Sequence, residues 1–381
     1  MLKTTAERLS AALLGYVTLI ILLMTLNPFY VTWPQEISFK FDSSLQNLVL
    51  NIALFLPVGF LYRLITGRRG ALLVGASISL SIETIQLFLP ARTTSYVDII
   101  ANAAGSGLGA LACSLIAPRI DVDTRTLNRL RLETPLMGLV YLLVPLLWIN
   151  TLALNEAPHR WLLTALIGML GTVVFSDLFR HWWGVTDIRV AGYAALAAGI
   201  WFLVGVGPRL VSSQSMWAIG LIVLLLTVVM IHIPQRGKER RFEQKTLRRI
   251  LPIFTVYLLL LTWRFPFSPF GAWQGFFGFT DRITDTSLSA LYPRLEYLAA
   301  FTVLGYLISE WRGRLELPLA QDLPRLLFIA TSVALLLEIL SGFQSGRGAS
   351  LVRLMLAVAG ALFGGMIYHL SRAHIRFLLG R

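Results

Sequence analysis

The sequence predicts an all-α, polytopic transmembrane helix bundle of about twelve helices, with both termini in the cytoplasm. Three observations carry that expectation. Of 381 residues, 56% are hydrophobic and only 14% charged, and the mean hydropathy of +0.70 lies far from that of a water-soluble domain. Apolar runs of about twenty residues recur along the whole chain, without the period-two alternation of a membrane β-barrel. The segments between them stay under roughly thirty residues, too short for an ordinary soluble domain, so any chemistry sits within or beside the bilayer.

Taken in order, the apolar runs fall near 11–26, 47–65, 70–89, 97–117, 136–154, 162–180, 189–206, 215–233, 250–264, 293–309, 324–341 and 351–370. Lys3 and Arg8 precede the first run as they would precede a signal peptide, but no small-residue cleavage site follows, so it is read as an uncleaved first helix. With the N-terminus inside, the inner segments hold 24 of the 33 Lys and Arg residues, and this asymmetry fixes the orientation. The net charge of +13 is therefore read against the anionic membrane surface, with no nucleic-acid partner, because no basic stretch carries the motif of a nucleic-acid module. Cys113, the single cysteine, excludes an intrachain disulfide.

The chain also resembles itself. Ile82 to Phe88 aligns with Leu337 to Phe343, and at the same offset Arg92 meets Arg347, Ser95 meets Ser350, Gly105 meets Gly360 and Gly109 meets Gly364. Upstream, Phe55 and Gly59 meet Phe301 and Gly305, and Leu22 to Thr25 meets Leu259 to Thr262. The changes of offset fall in loops, where insertions are tolerated. Three domains follow: a four-helix module over 1–120, four central helices with basic inner loops over 121–249, and a degenerate second copy over 250–381. An even number of spans lies between the two copies, so they are expected to run parallel.

Polar residues concentrate in the first copy. Asn47 and Asn51 lie one turn apart on helix 2, ahead of Phe55, Pro57 and Gly59. Glu83 shares a face of helix 3 with Ser79 and Gln86, and an outer loop carrying Arg92 leads into helix 4. There Asp98, Asn102, Gly105 and Gly109 form one stripe, whose glycines let a neighbouring backbone approach closely. Glu83 lies six residues before the end of its apolar run, about 9 Å deep at about 1.5 Å per residue, and a charge there has to be paired, protonated or wetted. Asn51, Glu83, Gln86, Arg92, Asp98 and Asn102 are therefore the candidate lining of one outward-opening pocket. It is either a ligand or proton site or a hydrogen-bonded clamp between helices.

The order Asn51 to Gly59 with Phe55, Pro57 and Gly59, then Glu83 and Gln86, then Arg92 to Asp98, then Asn102 with Gly105 and Gly109, resembles the VanZ-like family of bacterial membrane proteins. Leu26 to Tyr30 and Trp33-Pro34 look like that family's first outer loop. The resemblance covers about residues 12–117. It implies a role in the cell envelope, at the bacterial inner (cytoplasmic) membrane, for a family whose namesake is linked to reduced sensitivity to the glycopeptide antibiotic teicoplanin. In the C-terminal copy, Arg353 stands where the first has Asp98, Ala357 where it has Asn102, and Ser341 where it has Gln86. A cation in place of an acceptor cannot repeat the same chemistry, so Glu338, Arg347 and Arg353 either bind an anion, pair internally or serve as scaffold.

The remaining features are plainer. Helices 5–8 carry few buried charges, with Asp177 expected at the interface. Seven aromatics between Phe265 and Phe279 suit an anchor or a re-entrant element at the headgroup boundary. His159, His181, His232, His369 and His374 lack ligand spacing, and neither a phosphate loop nor a nucleophile elbow occurs, so no metal site and no cofactor are expected. Three functions follow: a binder or transporter of an envelope lipid or other amphipathic anion; an accessory subunit of an envelope machine; and an intramembrane enzyme on a lipid-linked phosphate or glycan. The enzyme is the weakest of these, for want of a nucleophile or metal. The partners expected are membrane lipids, including a lipid-linked envelope precursor, and no protein partner is indicated. The orientation is testable: a reporter fused after residue 240 is expected in the cytoplasm and one inserted near residue 275 outside, and a reversed result at both sites would end the topology.

Overall fold

The structure, a computed structural model, describes residues 5–26, 32–33, 39–41, 44–66, 70–89, 93–116, 124–155, 160–183, 187–207, 214–233, 242–263, 271–276, 288–311, 317–344 and 348–378. Twelve α-helices lie among them: α1 (Thr5–Thr25), α2 (Leu45–Thr66), α3 (Ala71–Gln86), α4 (Tyr96–Ile116), α5 (Thr124–Leu152), α6 (Trp161–Trp183), α7 (Ile188–Val206), α8 (Gln214–His232), α9 (Phe242–Thr262), α10 (Leu288–Trp311), α11 (Leu319–Gly342) and α12 (Leu351–Leu378). Each of the twelve apolar runs is a helix. Eight helices are long and apolar enough to cross a membrane, while α3 is shorter at 16 residues. Helices α1, α5 and α9 begin well before their apolar runs, because helical hydrogen bonding continues into polar sequence that a hydropathy window does not register. In a bilayer core the backbone must satisfy itself, which is why the chain is helical wherever it is apolar.

The chain forms two compact units. One holds residues 1–128 with 286–291 and 370–381, and the other holds 129–285 with 292–369. In the first, α2 packs along α4 and α3 packs on α4. Glycine decides how close α2 and α4 come. A methyl at Gly59 would collide with the Ser106 carbonyl, one at Gly105 with the carbonyl of Ile52, and one at Gly109 with that of Leu56. On the α3 side, Gly75 admits the side chain of Ser106 in the same way. The helix-4 stripe read from sequence as a packing face is thus a backbone-to-backbone contact.

In the second unit, α10 and α12 touch through the corresponding positions. Gly305 faces the Ala361 carbonyl, Gly360 that of Leu298, and Gly364 that of Thr302 together with the Tyr306 backbone nitrogen. Gly109 likewise faces the Phe60 backbone nitrogen. Along α10 these residue numbers exceed their α2 counterparts by a constant step, as 59 to 305 and 52 to 298, and along α12 they exceed α4 by another, as 105 to 360 and 109 to 364.

The same unit holds α5–α8, which use a different chemistry. Trp148 Nε1 donates to the Val204 carbonyl (2.8 Å) and Trp201 Nε1 to that of Val140 (3.0 Å), pinning α5 and α7 together. Thr172, Ser176 and Thr227 form a hydroxyl ladder between α6 and α8, and Arg180 donates to the last carbonyls of α8 at Met230 and Ile231. Asp177 is fully buried within the protein and paired with Arg249 of α9 at 2.5 Å. Local apolar periodicity contains no trace of a partner 72 residues away. The glycine contacts make a direct prediction. Gly109→Ala and Gly364→Ala should each lower the unfolding temperature, at an overpacking cost of about 1–3 kcal/mol. Gly192→Ala, where a methyl would meet nothing within 4 Å, should be neutral.

Candidate functional site

The polar residues of the first four helices gather where α3 turns into α4. Helix α3 ends at Gln86, and the turn through Leu87 and Phe88 closes with backbone bonds from Leu87 to the Glu83 carbonyl (3.1 Å) and from Phe88 to that of Ile85 (3.0 Å). Glu83 therefore sits in the last turn of its helix, shallower than the apolar run implied. Its carboxylate is buried, and Oε2 accepts the backbone N–H of Ser95 at 2.8 Å. Ser95 is also the N-cap of α4, its hydroxyl accepting from the Val97 N–H at 3.2 Å. Asp98 follows in the first turn, where an acid suits the helix dipole, and its charge acts on Glu83.

One turn deeper, Asn102 of α4 donates from Nδ2 to Ser79 Oγ of α3 at 2.8 Å. Asn102 is 5% exposed, and its Oδ1 has no hydrogen-bond partner among the described residues. Ser79–Asn102 and Glu83–Ser95 are thus successive links between α3 and the start of α4. Gln86 turns the other way, donating to the Thr25 carbonyl at the end of α1 (2.8 Å). Asn51 is half-buried on α2. Arg92 and Arg347 lie outside the described residues, as do Phe265, Phe267, Phe270, Phe277 and Phe279.

Residues between α1 and α2 brace the turn, which no sequence signal had indicated. Thr32 donates to the Phe88 carbonyl (2.8 Å) and Lys40 to that of Thr94 (2.9 Å), while Tyr96 donates back to Lys40 (3.2 Å). Tyr96 also stacks on Phe39, and Trp33 meets Phe88 edge-on.

The turn between α11 and α12 has the same frame and a different charge. Glu338 is buried and accepts the Ser350 N–H on Oε2 at 2.7 Å, while the Ser350 hydroxyl caps α12 by accepting from the Arg353 N–H (3.2 Å). Gly271 donates to the Phe343 carbonyl (2.8 Å), and Gly275–Phe276 pairs in parallel with Ala349–Ser350. Here Arg353 completes the carboxylate: Nε donates to Glu338 Oε1 (3.0 Å), and Nη2 to Oε2 (2.9 Å) and to the Gly348 carbonyl (2.6 Å). Its guanidinium lies over the Tyr297 ring at 5.8 Å. Of the readings left open for Glu338 and Arg353, internal pairing is the one the geometry contains.

Sequence reasoning passed over a third cluster. Arg160 pairs with Glu296 of α10 at 2.5 Å, Tyr257 of α9 donates to Glu296 Oε1 (3.1 Å), and Asn150 of α5 donates to the Tyr257 hydroxyl (3.0 Å). Glu296 within an apolar run was the available signal. Among the described residues no group of three or more His, Cys, Asp or Glu side chains is arranged to hold a metal.

Long apolar helices with buried ionised groups define a multi-pass membrane protein. Residues 3–117, which hold α1–α4, match the model of the VanZ/LLP1 family. No curated protein and no solved structure matches the chain. The charge pairing in the second unit is open to test. Arg353→Ala strands a buried carboxylate and should destabilise the protein by about 3–5 kcal/mol, and adding Glu338→Gln should restore most of that in thermal unfolding.

Proposed function

We propose that this is a cell-envelope protein of the bacterial cytoplasmic membrane whose first four helices hold the headgroup of an envelope lipid at an outward-facing polar pocket. One observation carries the reading: beside the buried Glu83, the hydrogen bonding of the Asn102 amide is incomplete. Among the described residues the buried Asn102 Oδ1 has no hydrogen-bond partner. An unsatisfied buried acceptor costs about 1–3 kcal/mol, more when charged, and a helix clamp would gain by replacing it. A pocket that receives a donor-bearing ligand would keep it.

The place suits a headgroup. Glu83 lies in the last turn of α3 beside an aromatic-braced loop, and aromatic side chains of this kind favour the membrane boundary. We read residues 250–381 as a diverged copy of the same module. The matched glycine contacts and the shared acid-to-serine bond support that descent, and the substitutions at Gln86, Asp98 and Asn102 mark where the second copy no longer carries the ligand chemistry. The amphipathic anion expected from sequence rested on Arg92. Arg92 lies outside the described residues, and those described there, Glu83, Asp98 and Asn102, include acceptors for a headgroup that carries a donor.

The test is a lipid inventory of the purified protein by mass spectrometry. Glu83→Gln keeps an acceptor for the Ser95 N–H and loses the charge, so folded yield should stay near wild type while the retained lipid falls to background. Glu83→Leu should lower thermal stability as well. An unchanged lipid inventory in Glu83→Gln would remove the proposal.

A further inference from the structure

A separate concentration of charge lies where α6 and α8 end and α9 begins. Arg249 of α9 pairs with the buried Asp177 of α6 at 2.5 Å, and its Nη2 rests against Met230 Sδ at 3.1 Å, a weak acceptor. Arg180 donates from Nε and Nη2 to the Met230 and Ile231 carbonyls, while its Nη1 is buried with no hydrogen-bond partner among the described residues. The charges of Asp177 and Arg249 both act on Arg180, so two guanidinium groups share one carboxylate. Lys245 stands one turn before Arg249 on the same face of α9, half-buried, and forms no hydrogen bond or ion pair among the described residues. Glu243, the acid of α9, is two residues from Lys245 and so on a different face.

Three cations thus gather about one carboxylate and the end of α8, whose last carbonyls supply about half a negative charge. What the cluster lacks is an anion. We infer that it binds the phosphate of an anionic membrane lipid, held directly by Arg249 and Lys245. Arg180 contributes charge rather than contact, since its free Nη1 is buried. The Arg249 side chain is 24% exposed, so a ligand can reach it. Residues one turn apart stand about 5–6 Å from each other at Cβ, a span that one phosphate bridges, with the planar fork of arginine on one side and the point charge of lysine on the other. The surroundings favour a lipid as the source. At the same end of α6, Phe179 packs on Trp182 and Trp183 with ring centroids 4.9 and 5.2 Å apart, and Trp183 meets Tyr193 of α7 at 6.4 Å. Such aromatics collect at the membrane–water boundary, where lipid phosphates lie. A free phosphate has the same chemistry, and the experiment separates the two sources.

The experiment uses the full chain in phosphatidylcholine nanodiscs doped with phosphatidylglycerol, with bound lipid counted by native mass spectrometry. Wild type should retain phosphatidylglycerol in preference to phosphatidylcholine. Lys245 supports no partner, so Lys245→Gln should fold with wild-type thermal stability and lower that preference about tenfold, the scale of one charge-assisted hydrogen bond. Arg249→Lys keeps a cation for Asp177 without the planar fork and should lower it as well. Arg248→Gln, at an exposed neighbour, and Glu83→Gln, in α3, should leave it in place. Equal loss in Arg248→Gln would reduce the effect to general surface charge and overturn the site. Loss in Glu83→Gln with none in Lys245→Gln would assign the anionic lipid to α1–α4 and overturn it too. Inorganic phosphate raising the unfolding temperature of wild type but not of Lys245→Gln, with no lipid preference, would keep the anion site and overturn the lipid source. Neither response to phosphate nor to phosphatidylglycerol would overturn both.

Discussion

A carboxylate that must receive a loop N–H is the constraint on which the α3–α4 and α11–α12 turns both depend. Ser95 and Ser350 begin helices at the end of tight connections, and their backbone N–H groups are buried. At that depth water is not at hand to satisfy them, and an orphan donor is costly. A glutamate from the preceding helix satisfies each at under 3 Å, in a charge-assisted bond stronger than a neutral one. The solution brings a second problem. A carboxylate carries about four acceptor positions and a full negative charge, and one N–H uses only part of that capacity. Whatever completes the carboxylate decides what the turn does.

The glycine crossings make this geometry possible. With α2 and α4 in backbone contact at Gly59, Gly105 and Gly109, and Gly75 admitting Ser106, α4 is held between α2 and α3. The α3–α4 spacing then suits Ser79 and Asn102 to bond directly at 2.8 Å. Packing and polar chemistry are one arrangement seen at two depths: small residues lower on the stripe, hydrogen-bonding residues above. The helices α5–α8 show the contrast. There indoles and hydroxyls bond to carbonyls, Asp177 of α6 pairs with Arg249 of α9, and Arg160 pairs with Glu296 of α10.

Much of this was legible in the sequence because it is local. Helix number follows from apolar length, the α4 packing face from glycines at four-residue spacing, and Glu83 from the expense of an acid in an apolar run. What was not legible was pairing across distance. The Asp177–Arg249 and Arg160–Glu296 ion pairs join residues 72 and 136 apart, and periodicity reports a face without naming what meets it. Gln86 shows the same limit: it shares a face with Glu83, yet its amide reaches the end of α1. The helix around Glu83 ends sooner than its apolar run, because Leu87 and Phe88 form a turn rather than helix. The backbone N–H of Ser95, the group that matters most to Glu83, has no side-chain signature at all.

The exchange of Asp98 for Arg353 is then more than a surface substitution. An arginine tethered three residues beyond the N-cap finds its glutamate without loss of translational freedom, and a ligand competing for the same oxygens must overcome that advantage. A turn with its own arginine is effectively closed and stable whatever the surrounding membrane contains. At the corresponding position of the first turn stands Asp98, whose charge acts on Glu83, so the same serine-to-glutamate bond is set in a different electrostatic surrounding.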